Sequence, residues 1–365
     1  MSEELVYYVG FSHFLGIGPV KLKALISYFG DIKTAYRANQ TEIKKVIGDR
    51  IGDRFVDFRR GFNPIKKIDE FKKKGISILH QKHKKYPQPL KHIEDPPICL
   101  YVKGDINIFD FSKHYFFAIV GTREPTPYGQ QVVRMFSSQL AKAGLVIVSG
   151  LALGIDALAH WSAINSNGRT IAVLGCGVDI VYPAVNANLY RKIVDRSGWV
   201  ISEFPPGHTV LKGLFIARNR IISGLSSGVL VVEGGRDSGS LITVRHAAAQ
   251  GKEVFAPPSP ITSPMSEAQN ILLKQGAKLA TNIEDILNEL GLKIMQKTKK
   301  EIEDRLNDDE KIILKIIYHE PKLGDEISLI SKKPINEVLN ILSLLEIKGI
   351  VEKNSQGRYQ LLPNL

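Results

Sequence analysis

Short apolar runs alternate with helix-length segments between about residues 115 and 287. The runs that fit strands are Phe116–Val120, Leu145–Val148, Thr170–Leu174, Trp199–Ser202, Val229–Val232 and Glu253–Ala256. Helix candidates lie between them at 128–143, 185–196, 215–226 and 239–250. Nearly continuous apolar strands separated by helices are typical of a parallel sheet that is covered on both faces. The pattern predicts an α/β domain over 106–290 with a doubly wound, Rossmann-like sheet, whose ligands would lie beyond the carboxyl ends of the strands.

Residues 1–105 have a different pattern, which predicts a smaller and mostly helical domain. The run Leu15-Gly16-Ile17-Gly18-Pro19 precedes apolar residues at helical spacing. This run resembles a helix-hairpin-helix element, of the SAM-like type, whose backbone N–H groups can face a phosphate. Structural packing and DNA contact are both compatible with so short a run.

The C-terminal part divides into a charged linker at 291–307 and a compact domain at 308–365. One predicted helix carries Ile312, Ile313, Ile316 and Ile317, and another carries Ile335, Val338, Leu342 and Leu345. A hairpin follows over Val351–Leu362, with its turn at Asn354–Gly357. Helices followed by a small hairpin suggest a winged helix. The nearly balanced charge of this domain leaves protein contact and DNA binding equally open.

The charge of the chain favours a polyanionic partner. The net charge is +12, and eight of these excess positive charges lie in residues 1–105. A basic surface attracts nucleic acid, although a lysine-rich, solvated surface would give the same charge.

The composition also bears on the compartment. Cys99 and Cys176 are the two cysteines of the sequence and have no paired spacing, so neither a disulfide framework nor a zinc site is expected. No apolar run approaches the roughly 18 residues that cross a bilayer, and the N-terminus does not resemble a secretion signal. These features predict a cytoplasmic protein with no membrane partner.

Two turns that follow predicted strands have the composition of phosphate-binding loops. In Gly121-Thr122-Arg123, the glycine allows a sharp turn, the N–H groups of 121–123 can form an anion-binding nest, and Arg123 adds charge-assisted bonds. In Ser238-Gly239-Ser240, which opens the helix candidate 239–250, Ser238 suits an N-cap and the free N–H groups suit an anion. An ordinary turn with a surface arginine is the alternative for the first of them.

Arg218, Asn219 and Arg220 interrupt an otherwise apolar helix candidate, and Lys212 lies just upstream. Polar side chains in an apolar setting need partners. A bound phosphate chain would supply them, and so would the carboxylates of Glu203 or Glu233.

Asp156 and His160 are four residues apart and share a helical face, so acid–base work is one interpretation. The preferred one is structural, with Asp156 favoured near a helix start and His160 as a hydrogen-bonding group.

Several motifs of other protein classes are absent. The sequence has no G-x-G-x-x-G, no phosphate-binding G-x-x-x-x-G-K-[ST] and no cluster with metal-ligand spacing. Gly224-Leu225-Ser226-Ser227-Gly228 matches G-x-S-x-G, but a helix precedes it and a strand follows it, the reverse of a nucleophile elbow.

Taken together, these segments resemble the DNA-processing protein A (DprA, also called Smf) family. The resemblance rests on Gly121-Thr122-Arg123, on SGLALGIDALAH (149–160), TIAVLGCGVDIVYP (170–183) and SEFPPG (202–207), and on ARNRIISGLSSGVLVVEGGRDSGSLIT (217–243) and VFAPP (254–258). Their order and spacing fit as well. The resemblance is strong over 115–280 and looser in the flanking regions.

The resemblance implies an extended Rossmann-like core between a helical N-terminal domain and a C-terminal winged helix. It also implies a homodimer that binds and protects single-stranded DNA and loads the recombinase RecA in natural transformation. No cofactor is implied. By position, Gly121, Thr122 and Arg123 would cradle phosphate, Lys212, Arg218, Asn219 and Arg220 would form the basic surface around them, and Ser238, Gly239 and Ser240 would form the second turn.

The sequence departs from the family pattern at Pro257-Pro258-Ser259-Pro260 and at Glu267–Asn270, where glycines are usual, so the contacts of the loop 257–270 are open.

An enzymatic alternative comes from a more distant resemblance to nucleotide phosphoribohydrolases with P-G-G-x-G-T-x-x-E. Thr243 stands where their catalytic glutamate would be, and a hydroxyl cannot replace that carboxylate. The sequence therefore predicts a protein that is not an enzyme. A pure interaction scaffold using the basic segments 66–74 and 82–85 is a third interpretation.

Overall fold

The computed structural model describes residues 3–292, 306–318, 320–348, 350–354 and 357–361. The chain divides into two compact units, with the division between Leu292 and Lys293. Residues 293–305 of the predicted linker lie outside the described residues.

The first unit begins with helices that pack around an aromatic core. They are α1 (Glu3–Ser12), α2 (Pro19–Phe29), α3 (Ile32–Arg37), α4 (Gln40–Ile47), α5 (Asp49–Gly61) and α6 (Pro64–Lys73). Phe11 and Phe55 are fully buried there, and their rings stack at 5.1 Å. The predicted helical character is therefore correct for this stretch.

Two strands that were not predicted follow α6. They are β1 (Ile76–His80) and β2 (Cys99–Lys103), separated by the short α7 (Gln88–Lys91). β1 pairs with β2, and β2 pairs with β6 (Gly198–Ser202), both in antiparallel fashion. The predicted domain boundary between 105 and 106 therefore runs through one continuous sheet. The strand signal was missed because lysine-rich segments surround it.

The sheet of the described residues has nine strands. Its other members are β3 (Phe116–Val120), β4 (Val146–Ser149), β5 (Thr170–Val173), β7 (Gly228–Val231), β8 (Glu253–Ala256) and β9 (Lys278–Leu279). The strand order is β1-β2-β6-β5-β4-β3-β7-β8-β9. From β6 to β9 the neighbours are parallel, so the sheet is mixed. All six predicted runs are strands, within one or two residues at their ends.

Helices cover both faces of the parallel part. They are α8 (Pro127–Lys142), α9 (Ile155–Asn165), α10 (Ala187–Lys192), α11 (Lys212–Leu225), α12 (Ser240–Ala249), α13 (Glu267–Lys274) and α14 (Ile283–Glu289). Alternate strand residues face opposite sides. Accordingly Ile171 and Val173 pack in one core with α11 and α12, whereas Ala172 packs in the other with α9.

The direction of chain progression reverses at β3. From β3 the chain proceeds through β4, β5 and β6 to one side, and β7 returns on the other side of β3. Such a reversal opens a crevice beyond the carboxyl ends of the strands, because the loops on its two sides lead away from each other. The turns after β3, β4 and β7 meet at this crevice.

The second unit contains three described helices and a hairpin. The helices are α15 (Asp308–Ile317), α16 (Gly324–Ser331) and α17 (Ile335–Ile347), and the hairpin pairs β10 (Val351–Lys353) with β11 (Tyr359–Leu361). Ile313, Val338 and Leu342 form the centre of its core. α16 was not predicted. The predicted end of the hairpin, Leu362, lies outside the described residues.

Candidate phosphate-binding site

A cavity of about 420 Å³ lies at the carboxyl ends of β3 and β7. The turns after these strands, α9 and α11 line it. Eight of the ten predicted site residues lie in its wall: Gly121, Thr122, Arg123, Arg218, Asn219, Ser238, Gly239 and Ser240. Three segments that are far apart in sequence therefore meet in one place.

The turn after β3 approaches its neighbours too closely for any side chain at its first residue. A Cβ on Gly121 would lie 2.7 Å from Cγ1 of Ile155 and 2.9 Å from the carbonyl oxygen of Glu233. The amide of Thr122 donates to that same carbonyl at 2.8 Å, so it is not available for an anion. The predicted nest is reduced by this bond. Arg123 is exposed and adds a positive charge at the rim of the cavity.

The turn after β7 leads into the first residues of α12. Gly239 occupies the N-cap, so the prediction of Ser238 at that position is wrong by one residue. Ser238 and Ser240 instead bond each other through their hydroxyl oxygens at 2.8 Å. The first-turn amides are largely used, because that of Ser240 donates to Oγ of Ser238 at 3.4 Å and those of Leu241 and Ile242 donate to the carbonyls of Ser238 and Gly239 at 3.0 and 3.2 Å. The turn therefore offers the cavity mainly its two hydroxyls.

Arg218 is a buried cation in the wall of the cavity, with only 4% of its surface exposed. Its Nη1 donates to the carbonyl of Gly150 at 2.6 Å and also to the carbonyl of Val173. Its Nε has no hydrogen-bond partner within the described residues. Burial lowers the pKa of Arg218 to about 10, which still leaves it charged at neutral pH. A buried positive charge favours an anion nearby.

Asp156 is the counter-charge to Arg218 at the cavity wall. Its Oδ2 accepts bonds from the amides of Gly150 at 3.0 Å and Ala152 at 3.4 Å. Burial raises the pKa of Asp156, and the charge of Arg218 acts in the opposite direction. The carboxylate thus holds the turn after β4 and lies in the first turn of α9, as predicted.

His160 is a structural hydrogen-bonding group, as predicted. Its Nε2 accepts from the amide of Leu151 at 3.3 Å, so Nδ1 carries the proton and donates to Oγ1 of Thr170 at 2.6 Å. The Thr170 hydroxyl in turn donates to the carbonyl of Ile147 at 2.7 Å. Burial lowers the pKa of His160 to about 3, so the ring is neutral. It does not bond Asp156, which argues against an acid–base pair.

Arg220 has other partners than the predicted phosphate chain. It does not line the cavity, and its guanidinium is paired with Glu203 and Asp95. Of the partners that the sequence left open, the carboxylate of Glu203 is the one observed. Lys212 is the first residue of α11, and its side chain lies outside what the structure describes. Asn219 lines the cavity and is half-buried.

Sequence reasoning missed the apolar side of the cavity. Phe215, Ile216, Ile222, Ile242 and Met265 line it. The ring of Tyr182, which is half exposed, lies 5.3 Å from that of Phe215. Phe215 precedes Asn219 by one helical turn, and this spacing was a usable signal. No sequence signal pointed to Tyr182, because only the folded chain places the loop after β5 beside α11.

The loop 257–270, whose sequence departs from the family pattern, forms part of the same cavity wall. Met265 lines the cavity, and its carbonyl accepts the amide of Gly234 at 2.9 Å. The amide of Ala268 donates to the carbonyl of Gly234 at 2.9 Å. The loop is therefore fixed to the turn after β7 without the glycines usual in the family.

Within the described residues, no group of His, Cys, Asp and Glu side chains is arranged to hold a metal ion. No helix in that part of the chain is both long and apolar enough to cross a bilayer.

Sequence comparisons with known proteins agree with one another. The profile of DNA recombination-mediator protein A matches residues 77–291. Protein Smf of Synechocystis sp. is 33% identical over 98% of this chain and 99% of its own length. DNA processing protein DprA of Bacillus subtilis is 43% identical over 63% of this chain and 76% of its own length.

Solved structures agree with these relatives. DNA processing protein A of Streptococcus pneumoniae superposes with a TM-score of 0.68 at 34% identity, covering 79% of this chain and 98% of that one. The Helicobacter pylori protein, whose structure was described for its single-stranded DNA binding mode, gives a TM-score of 0.53 at 34% identity, covering 59% of this chain and 95% of that one. The chain belongs to the DNA recombination-mediator protein A (DprA/Smf) family, whose members process DNA in recombination.

Proposed function

We propose that this protein binds single-stranded DNA, with the phosphate backbone in the cavity at the carboxyl ends of β3 and β7. One observation carries the proposal. The buried guanidinium of Arg218 belongs to the wall of that cavity, beside residues of the turns after β3 and β7. The H. pylori relative, which binds single-stranded DNA, supports the same ligand.

The cavity offers different partners to the two parts of a nucleotide. Arg123, Arg218 and the hydroxyls of Ser238 and Ser240 suit phosphate oxygens. The apolar wall around Phe215 suits a base, since stacking on aromatic rings tolerates every base. Contacts of this kind read charge and ring faces, so the binding is largely independent of sequence.

The cavity is a binding site and not a catalytic one. Thr243 lines it at the position where a nucleotide phosphoribohydrolase of the related type would need its glutamate. Among the described wall residues, Asp156 is the one carboxylate, and the amides of Gly150 and Ala152 hold it. A nucleoside monophosphate panel incubated with the protein is expected to release no free base.

The family membership supports the finer parts of the role. The protein acts in the cytoplasm as a homodimer that protects incoming single strands and loads RecA onto them during natural transformation and recombination. Its N-terminal helices form a helix-hairpin-helix or SAM-like domain, and α15–α17 with the hairpin form a winged helix. Lys212 belongs to the DNA surface with Asn219.

A gel shift with a dT oligomer against duplex DNA of equal length tests the proposal. The single strand is expected to bind more tightly, and Arg123→Glu should weaken binding to all sequences alike. Arg134→Glu is the matched control, since Arg134 is an exposed arginine of α8 that does not line the cavity. If Arg123→Glu binds single strands as tightly as the parent, the assignment of the cavity is wrong.

A further inference from the structure

Arg218 and Arg220 occupy the same helix but face nearly opposite sides of it. Each residue of an α-helix turns by about 100°, so positions two apart lie about 200° apart around the axis. Arg218 lines the cavity, whereas the Arg220 guanidinium lies against Asp95 and Glu203. One rigid helix therefore cannot present both guanidinium groups to the same stretch of DNA.

The Arg220 side chain joins α11 to two other segments of the fold. Its Nε donates to Oδ2 of Asp95 at 2.7 Å, and Asp95 lies between α7 and β2. Its Nη1 and Nη2 donate to the two carboxylate oxygens of Glu203 at 2.6 and 2.7 Å. Glu203 follows the last residue of β6. The planar, two-pronged bond to Glu203 fixes an orientation as well as a distance.

The burial of this pair separates it from an ordinary surface salt bridge. The side chains of Arg220 and Glu203 are 5% and 12% exposed. Asp95 is more exposed, at 40%, and retains contact with water. The backbone is held as well, because Nε2 of Gln250 donates to the Arg220 carbonyl at 3.0 Å. The position of α11 along the sheet is thus set from several directions at this residue.

We propose that Arg220 is a positioning residue for DNA binding, acting through Glu203 and Asp95, and not a contact to DNA. This inference rests on the proposed function of the cavity. Phe215, Arg218 and Asn219 all reach the cavity from α11, so a displacement of this helix moves all three together. Binding groups need to be held within about 0.5 Å of their productive geometry.

Two variants separate positioning from contact. Arg220→Met keeps the apolar stem but leaves the Glu203 carboxylate buried without its partner. The double variant Arg220→Met/Glu203→Met removes both charges and fills their space with two apolar side chains of similar volume, which can pack against each other and hold α11 in place. Replacing a whole buried pair in this way is far less damaging than removing one partner. Affinity for a dT oligomer should fall at least about tenfold in the single variant and return to within about threefold of the parent in the double variant.

The salt dependence of binding provides a second readout that a loss of stability does not change. A lost phosphate contact on a single strand reduces the slope of log K against log salt by about 0.7. The double variant is expected to keep the slope of the parent. Arg134→Met, an exposed arginine on α8 away from the cavity, is the control and should bind within about twofold of the parent.

Two results would overturn the proposal. One is a folded double variant that binds as weakly as the single variant with a slope reduced by about 0.7, since Arg220 would then contact a phosphate. The other is an Arg220→Met protein that binds like the parent. If the single variant does not fold, the double variant decides. Arg123→Glu tests the cavity itself, so a parent-like Arg123→Glu protein refutes the proposed function, whereas failure of the double variant removes only the role of Arg220.

Discussion

Gly150→Ala should disturb the cavity by displacing Arg218. A Cβ on Gly150 would lie 2.2 Å from Nη1 and 2.4 Å from Cζ and Nη2 of Arg218. Non-bonded contacts of this kind need about 3.5 Å, so the guanidinium has to move by about 1 Å or more. Its bonds to the carbonyls of Gly150 and Val173 cannot survive such a shift.

The magnitude follows from what the displaced guanidinium loses. Overpacking of a buried site costs about 1–3 kcal/mol in the free energy of unfolding. A hydrogen bond to a charged group contributes about 1.5–3 kcal/mol, so losing one to a phosphate weakens DNA binding about ten- to hundredfold. Urea unfolding measures the first quantity, and fluorescence anisotropy with a labelled dT oligomer measures the second.

Gly61→Ala provides the control, because a Cβ there has no atom within 4 Å. It should leave both quantities nearly unchanged. A folded Gly150→Ala protein that binds the oligomer as tightly as the parent would show that Arg218 has no part in holding DNA.

Three further predictions concern the same region. Gly129→Ala should destabilise the fold by about 2–3 kcal/mol in urea unfolding, because its Cβ would strike Oε2 of Glu233, which accepts the Thr126 amide at 2.9 Å. Burial lowers the pKa of His160 from 6.5 to about 3, so the unfolded chain binds more protons between these values. The free energy of unfolding should therefore fall as the pH drops below 6.5, and His160→Gln should reduce that fall. A His160→Gln protein whose stability depends on pH as that of the parent does would contradict the neutral ring. Thr243→Glu places a carboxylate in the cavity wall and should weaken binding of the dT oligomer at least about tenfold, whereas Thr243→Val should bind like the parent.

The sequence predicted the central sheet well because buried parallel strands leave a strong local pattern. Phe116–Val120 and Glu253–Ala256 coincide with their strands, and Gly121 and Pro257 end these two runs. The meeting of the turns after β3 and β7 at one cavity was also predictable, because the carboxyl ends of parallel strands lie at one edge of the sheet.

What the sequence could not show depends on tertiary pairing. β1 is an edge strand and β2 lies between β1 and β6 in a lysine-rich region, so their places in the sheet depend on pairings that the sequence does not show. The partner of Arg220 could not be predicted either, because a phosphate and a buried carboxylate satisfy a guanidinium equally well. Asp95 lies 125 residues before it and had no sequence signal. The amide of Thr122 was likewise assigned to an anion before its bond to Glu233 was visible.

The most direct test of the central claim is to locate the DNA on the protein. A dT oligomer carrying 4-thiothymidine would be cross-linked to the protein by light, and the modified peptides would be identified by mass spectrometry. Cross-links in the segments 121–123, 215–219 and 238–243 are the predicted result. Cross-links confined to the N-terminal helices or to the C-terminal unit, with none in these segments, would contradict the account.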